Sequence, residues 1–166
     1  MRLIKLEPRR VLMFSKNGNK LLSDIDARAG SKSIIKEGVL HIEGEGGSEF
    51  FAEQVVKAIC LGFEPAKAFK LLKDDFFLEV IDLEQVVSRS PKRIALLKAR
   101  LIGTDGKAKS TLQELSGALI SISGTKIGLI GGFEDIKAAK VGIQQLLEGK
   151  KHTNVYAFLE KRKHGI

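Results

Sequence analysis

The tetrapeptide Gly103-Thr104-Asp105-Gly106, with Arg100 before it and Lys107 and Lys109 after it, has residue types and spacing suited to gripping a phosphodiester backbone. Glycine lacks Cβ, so its main chain can lie against a sugar-phosphate strand and adopt positive φ where a turn needs it. A helix starting directly after the second glycine would point unpaired N–H groups and a positive dipole end at the same spot. Arg100, Lys107 and Lys109 can then meet phosphates on either side. The motif alone is weak, because GxxG also occurs at residues 44–47 and 128–131 in a chain with 17 glycines. Residues 44–47 connect a strand to a helix, and residues 128–131 end a strand, where glycine allows a turn or close packing. Residues 103–106 alone fall between two helices.

Other candidates for chemistry are sparse. His41, His152 and His164 are far apart, the last two near the C-terminus where solvated side chains are usual. The single cysteine, Cys60, rules out an intrachain disulfide and reads as a small buried hydrophobe in an apolar helical stretch. Asp74-Asp75 reads as a linker, and Glu134-Asp135 opens a helix, where acids suit the macrodipole. With no nucleophile or metal ligand beside either pair, the chain is expected not to be an enzyme and to need no metal or cofactor. No segment approaches the roughly 20 apolar residues of a membrane span. A cytoplasmic location without a membrane partner is expected.

The net charge of +8 is unevenly spread. Residues 1–87 hold 13 Lys and Arg against 14 Asp and Glu, whereas residues 88–166 hold 15 against 6. A surplus concentrated in one half fits a polyanion site there, although a solvated basic face without a ligand has the same signature.

Hydrophobic periodicity supplies the elements that must position the loop. In the second half, residues 78–83 alternate as a strand, residues 93–101 are helical after Pro91, and residues 107–116 resume as a helix stopped by Gly117. Residues 119–123 and 126–130 are strands joined at Gly124-Thr125, and residues 134–148 form an amphipathic helix. A last helix, about residues 154–163, brings Val155, Phe158 and Leu159 together. Tyr156 and Phe158 are of a type that stacks bases, but helical spacing places Phe158 in the core. The first half repeats the order: strand 2–6, helices 10–14 and 19–29, strands 33–36 and 39–43, helix 50–61, then a short helix 65–73 carrying Phe69 and Leu72. Shifted by 87 residues, Gly30 falls on Gly117, Gly62 on Gly149, Leu72 on Leu159, Ile25 on Leu112 and Ile35 on Ile122. That coincidence points to a tandem duplication. The units are residues 1–74 and 75–166, each β-α-α-β-β-α with a short extra helix, in an α+β fold.

Residues 100–106, Arg-Leu-Ile-Gly-Thr-Asp-Gly, then Leu-Gln-Glu-Leu-Ser-Gly-Ala at 112–118 and an Ile-Ser-Ile strand, resemble the core of a type I KH domain. The resemblance implies two tandem type I KH domains, with a GxxG loop that clamps the backbone of about four nucleotides of single-stranded RNA. It also implies a groove for the bases between the second helix and the second strand. On this chain Ile102, Leu112, Ile120 and Ile122 would line that groove, with Lys126 beyond the strand turn. The RNA-binding set is completed by Arg100, Gly103, Thr104, Asp105, Gly106, Lys107 and Lys109. The connector at residues 62–72 and the tail at 152–163 carry the resemblance over essentially the whole chain. It is to the archaeal KH-repeat rRNA-processing proteins, relatives of the eukaryotic partner-of-Nob family. That family's part in ribosome assembly implies single-stranded small-subunit rRNA, near its 3′ end, as the ligand. It implies the assembly nuclease and a translation initiation factor as protein partners.

Two departures from the family pattern matter. Asp105 puts a negative charge inside the loop, where it either weakens phosphate attraction or caps the following helix. In the first half, Lys16-Asn17-Gly18-Asn19 stands where GxxG does in the second, and only the tolerance of asparagine for αL compensates in part at Asn19. The first unit is therefore expected to be degenerate for RNA and to serve as a packing or protein-docking platform, in keeping with its neutral charge. The competing reading of the whole chain is a protein-docking scaffold in ribosome assembly or translation initiation, with incidental RNA contact. Aspartate at both Gly103 and Gly106 is expected to abolish RNA binding while leaving the fold intact.

Overall fold

Burial alternates along residues 31–36 and 39–42, as strands with one covered face require, and recurs at i, i+3/i+4 along the longer helices. The computed structural model describes residues 1–165, which divide into two units, Met1–Asp74 and a second beginning at Asp75.

In the first unit β1 (Arg2–Lys5), β2 (Ser31–Lys36) and β3 (Val39–Gly44) form an antiparallel sheet in the order β1-β3-β2. Lys36 pairs with Val39, so the hairpin turn is Glu37-Gly38, with both residues at positive φ. One face of the sheet, carrying the fully buried Leu40 and Ile42, packs on α1 (Pro8–Ala29) and α2 (Ser48–Cys60). Phe14, Leu22 and Ile25 enter this core from α1, and Val55 and Val56 from α2. The helix α1 is two arms joined at Asn17, Gly18 and Asn19, whose φ values of 51°, 64° and 62° are all left-handed. Its first arm starts at Pro8, two residues before the predicted start, because proline suits the first helical position. Cys60 is half-buried rather than fully buried.

The connector forms α3 (Pro65–Ala68) and a 3-10 turn (Phe69–Leu72). Its tighter period turns Leu71, at 2 % exposure, into the core in place of Leu72. Phe69 stays half-buried under the Arg28 guanidinium, 4.3 Å from the ring centre.

In the second unit β4 (Phe77–Asp82), β5 (Leu119–Ser123) and β6 (Lys126–Gly131) form an antiparallel sheet in the order β4-β6-β5. A one-turn helix that periodicity does not reveal, α4 (Leu83–Val86), follows β4, where the Asp82 carboxylate accepts from the Glu84 N–H at 3.0 Å. Then come α5 (Pro91–Ile102), α6 (Lys107–Ser116), α7 (Phe133–Leu147) and α8 (His152–Lys163). Their inward residues, Leu101, Leu112, Ile143 and Leu159 among them, pack with Ile127 and Leu129 of β6 in one core. The chain thus builds β-α-α-β-β-α twice.

The 87-residue offset survives in detail. It carries Val39 to Lys126 and Pro65 to His152 as element starts. Gly30 and Gly117 both end their helices in αL, at φ 78° and 85°, bonding back to Asp26 O and Gln113 O. The first strands break the offset, since β1 starts at Arg2 and β4 at Phe77, and the second unit inserts α4 before α5.

The core expectation for Phe158 fails as well. In α8, Val155 and Leu159 are fully buried, with a Leu159 methyl 3.1 Å from where a Cβ on Gly142 would sit, while Phe158 is 46 % exposed. The reason is angular: Val155 and Leu159 are four residues apart and superpose, and Phe158 points about 100° away.

Candidate nucleic-acid interface

The loop at residues 103–106 exists because α5 and α6 end and begin there on glycine. Ser90 caps α5, its hydroxyl accepting from the Arg93 N–H, and Pro91 opens the helix. At the other end the Gly103 N–H donates to Ala99 O at 2.8 Å. Gly103 then takes φ 74°, ψ 177°, and Thr104–Gly106 make a single 3-10 turn before α6. Asp105 (φ 54°) and Gly106 (φ 74°, ψ 12°) are both left-handed.

The two glycines do different work. A Cβ on Gly103 would lie 2.7 Å from Ala108 Cβ and 2.8 Å from Ala108 N, so Gly103 lets the first turn of α6 close on the end of α5. Nothing lies within 4 Å of the same position on Gly106, which leaves open space above the main chain. This overturns the expectation that aspartate at both positions spares the fold. At Gly103 it would strike the α6 backbone.

Gly106, not Asp105, is the N-cap of α6, and no side chain caps that helix. Asp105 and Thr104 are exposed at the tip, beside exposed Lys107 and half-buried Lys109. Among the described residues none of the ion pairs involves Asp105, Lys107 or Lys109. An uncapped helix start, two unpaired lysines and bare main chain at Gly106 thus meet at one surface.

Arg100 does not join them. Its Nε donates to Leu146 O at 2.9 Å and its Nη2 donates to Lys150 O, holding α5 to the C-terminal end of α7. The first unit has a counterpart, where Arg10 Nη2 of α1 donates to Cys60 O at the end of α2. Arg100 is thus placed to satisfy helix-end carbonyls rather than phosphates. His152, expected to be solvated, is half-buried with Nε2 2.9 Å from Arg100 O, so Nε2 carries the proton that it donates.

The expected groove is only partly open. Leu112 and Ile120 are 1 % and 3 % exposed and belong to the core beneath it. Pairing of Ile120 with Leu129 and of Ile122 with Ile127 puts all four on the core face of the sheet. Ile102 and Ile122 remain half-buried and carry the apolar surface that is left. Lys126 is exposed at the start of β6, opposite Ser123 and Asp82. The groove wall includes a residue that periodicity passed over. Gln113, in the last turn of α6, accepts the Ile120 N–H through Oε1 at 2.8 Å. Burial pushes the Tyr156 phenol above 10.0, an effect offset in part by a hydrogen bond with Thr111.

The unit boundary also corrects the charge argument. Met1–Asp74 holds 13 Lys and Arg against 10 Asp and Glu, and the second unit holds 15 against 10. Asp75, Glu79, Asp82 and Glu84 belong to the start of the second unit, so the first is not neutral. Both units are basic, the second more so.

A family model described as the eukaryotic type KH-domain (KH-domain type I), for the second such domain of PNO1, matches residues 77–164. A KH domain-containing protein of Methanocaldococcus jannaschii is 34% identical over 171 residues, covering 99% of this chain and 74% of the relative. The pre-rRNA-processing protein PNO1 of Phaeosphaeria nodorum is 32% identical over 108 residues, covering 64% of this chain and 41% of its own length. Among solved structures, a chain of the a/eIF2alpha–aDim2p–rRNA complex from Pyrococcus horikoshii OT3 superposes with a TM-score of 0.89. That chain is 28% identical, with 99% of this chain and 94% of that one covered.

Proposed function

The chain belongs to the PNO1-type KH family, and from that premise we propose that it is an RNA-binding rRNA-processing factor. Its ligand is single-stranded small-subunit rRNA near the 3′ end, held through the second unit. The observation that carries this reading is the open main chain at Gly106, flanked by unpaired Lys107 and Lys109 at the uncapped start of α6. A sugar-phosphate can approach there without meeting a side chain, and α6 offers its positive end to the phosphate. Thr104, Asp105 and Lys126 flank the strand, and Ile102 and Ile122 offer apolar contact to bases. Gly103, Leu112 and Ile120 hold the loop and groove in shape. Arg100 belongs to the frame.

The experiment is Thr104→Asp combined with Lys107→Glu, both at exposed positions. The pair adds negative charge at the tip without touching either glycine, so native circular dichroism and loss of binding to a short single-stranded RNA are expected. Affinity of the natural chain should fall with salt, with a log–log slope near −0.7 for each phosphate neutralised. Undiminished binding by the folded double variant would remove the loop from the site.

We propose partners of two kinds, an assembly nuclease, as the resemblance to the family implies, and a translation initiation factor. The second has support in the archaeal complex, which holds a/eIF2alpha beside aDim2p and rRNA. The first unit, whose loop carries Lys16 and Asn19 where the second unit has Gly103 and Gly106, is the candidate docking platform. This is also what the scaffold reading requires, and RNA binding by the Gly106 surface separates the two.

A further inference from the structure

The loop at residues 103–106 has little to hold its own shape. Within it the Gly106 N–H reaches Gly103 O only at 3.3 Å, and no side chain caps α6. The placement of α5 against α6 therefore sets its geometry, and α8 grips both helices beside it. His152, in the first turn of α8, donates from Nε2 to Arg100 O at 2.9 Å, shortly before Gly103. One turn on, Tyr156 shares a hydrogen bond with the Thr111 side chain. The Thr111 hydroxyl in turn donates to Lys107 O at 2.9 Å, directly after Gly106. The His152 and Tyr156 rings meet edge to face with centroids 5.9 Å apart, so each helps to orient the other. Further along α8, Arg162 Nη2 donates to Ser116 O at 2.7 Å and fastens the far end of α6.

The first unit has the same frame without this pair. The counterpart of the Arg100 side-chain contact is present there, from Arg10 to Cys60 O. At the 87-residue offset, however, His152 becomes Pro65, which has no donor, and Tyr156 becomes Phe69, which has no hydroxyl and lies under Arg28. The arginine contact accompanies the fold. The histidine–tyrosine pair accompanies the two-glycine loop.

We propose that His152 and Tyr156 are positioning residues for the interface. They hold the chain on either side of Gly103–Gly106 in the shape that receives a phosphate backbone, and act through Arg100 O and Thr111 rather than on RNA. A loop that is correctly shaped for only part of the time binds more weakly by that fraction. The proposal rests on the RNA-binding reading of the second unit.

The test uses the full chain carrying His152→Phe and Tyr156→Phe together, which keeps two rings and removes both polar contacts. His152→Gln, whose carboxamide N–H can replace Nε2, is the conservative variant. Arg100→Ala, which leaves Arg100 O in place, is the control for destabilisation alone. Amide hydrogen exchange of the free protein and fluorescence anisotropy with a short single-stranded RNA of random sequence are the two readouts. In the double variant, exchange should quicken at residues 103–109 while β5 and β6 keep their protection. Its affinity per folded molecule should fall about three- to tenfold, the effect of one neutral hydrogen bond. The salt slope should not change, because no phosphate contact is lost. His152→Gln should stay near the natural chain in both readouts. Natural affinity in the folded double variant, or an equal loss in Arg100→Ala, overturns the proposal and leaves RNA binding standing. A shallower salt slope would put His152 on a phosphate and overturn it too. A natural chain that binds no RNA removes both readings together.

Discussion

Replacing each loop glycine by alanine should separate their roles. At Gly106 (φ 74°, ψ 12°) a Cβ meets nothing within 4 Å, so the cost is αL strain alone. That is about 1–2 kcal/mol, less roughly 0.4–1 kcal/mol regained from a stiffer unfolded chain. At Gly103 (φ 74°, ψ 177°) the conformation is essentially restricted to glycine, at about 1–3 kcal/mol. There the new methyl also falls 2.7 Å from Ala108 Cβ and 2.8 Å from Ala108 N, and overpacking of that kind adds about 1–3 kcal/mol. Gly103→Ala should therefore destabilise the second unit by about 2–3 kcal/mol more than Gly106→Ala. Urea unfolding of the full chain can be followed by the fluorescence of Tyr156, because the chain has one tyrosine and no tryptophan and α8 carries it into the second unit. Equal midpoints for the two variants, or Gly103→Ala within about 0.5 kcal/mol of the natural chain, would refute the claim that Gly103 is there for packing. The same reasoning says that Gly103→Asp loses RNA binding by unfolding, which makes it a poor probe of the interface.

Arg100→Ala should cost about 1.5–3 kcal/mol, since charged donors to two carbonyls are lost, while RNA affinity per folded molecule, measured by anisotropy, stays within about twofold. Leu159→Ala should destabilise by about 2–5 kcal/mol, but Phe158→Ser by less than about 1 kcal/mol, as thermal melts of the two variants would show. Burial raises the Cys60 thiol above its ordinary 9.0, with smaller opposing effects from Arg10 and Arg9, and the Tyr156 phenol above 10.0. Both groups hold their proton more tightly when folded, so their contribution is complete below those values and is lost as pH climbs through the folded ones. Stability should decline above about pH 9, more shallowly in Cys60→Ala, and Cys60 should alkylate more slowly at pH 8.5 than free cysteine.

The KH-like frame could be read from the sequence because its signals are local. Glycine at 30 and 117 ends helices wherever they occur, and the short apolar runs at 119–123 and 126–130, bounded by glycine, mark strands before any partner is chosen. Duplication doubled each signal, which is why one offset of 87 located both units. The same local reading found the loop and its lysines. It also noted that asparagine at position 19 tolerates a left-handed conformation, and the residue adopts one at φ 62°.

Other outcomes depended on which distant atoms arrive beside a residue. Arg100 sits next to the loop in the chain, yet its guanidinium is consumed by carbonyls 46 and 50 residues away. Leu112 and Ile120 share the spacing of groove residues, but packing with Ile127, Leu129 and the rest of the cluster makes them core. Phe158 differs from Leu159 by one step of rotation and so faces water. Gln113 gained its partner only when β5 presented an N–H to it. Periodicity specifies which face of an element is apolar. Which charges and donors remain free is settled by three-dimensional pairing, because a hydrogen bond depends on distances of about 3 Å that no spacing along the chain encodes.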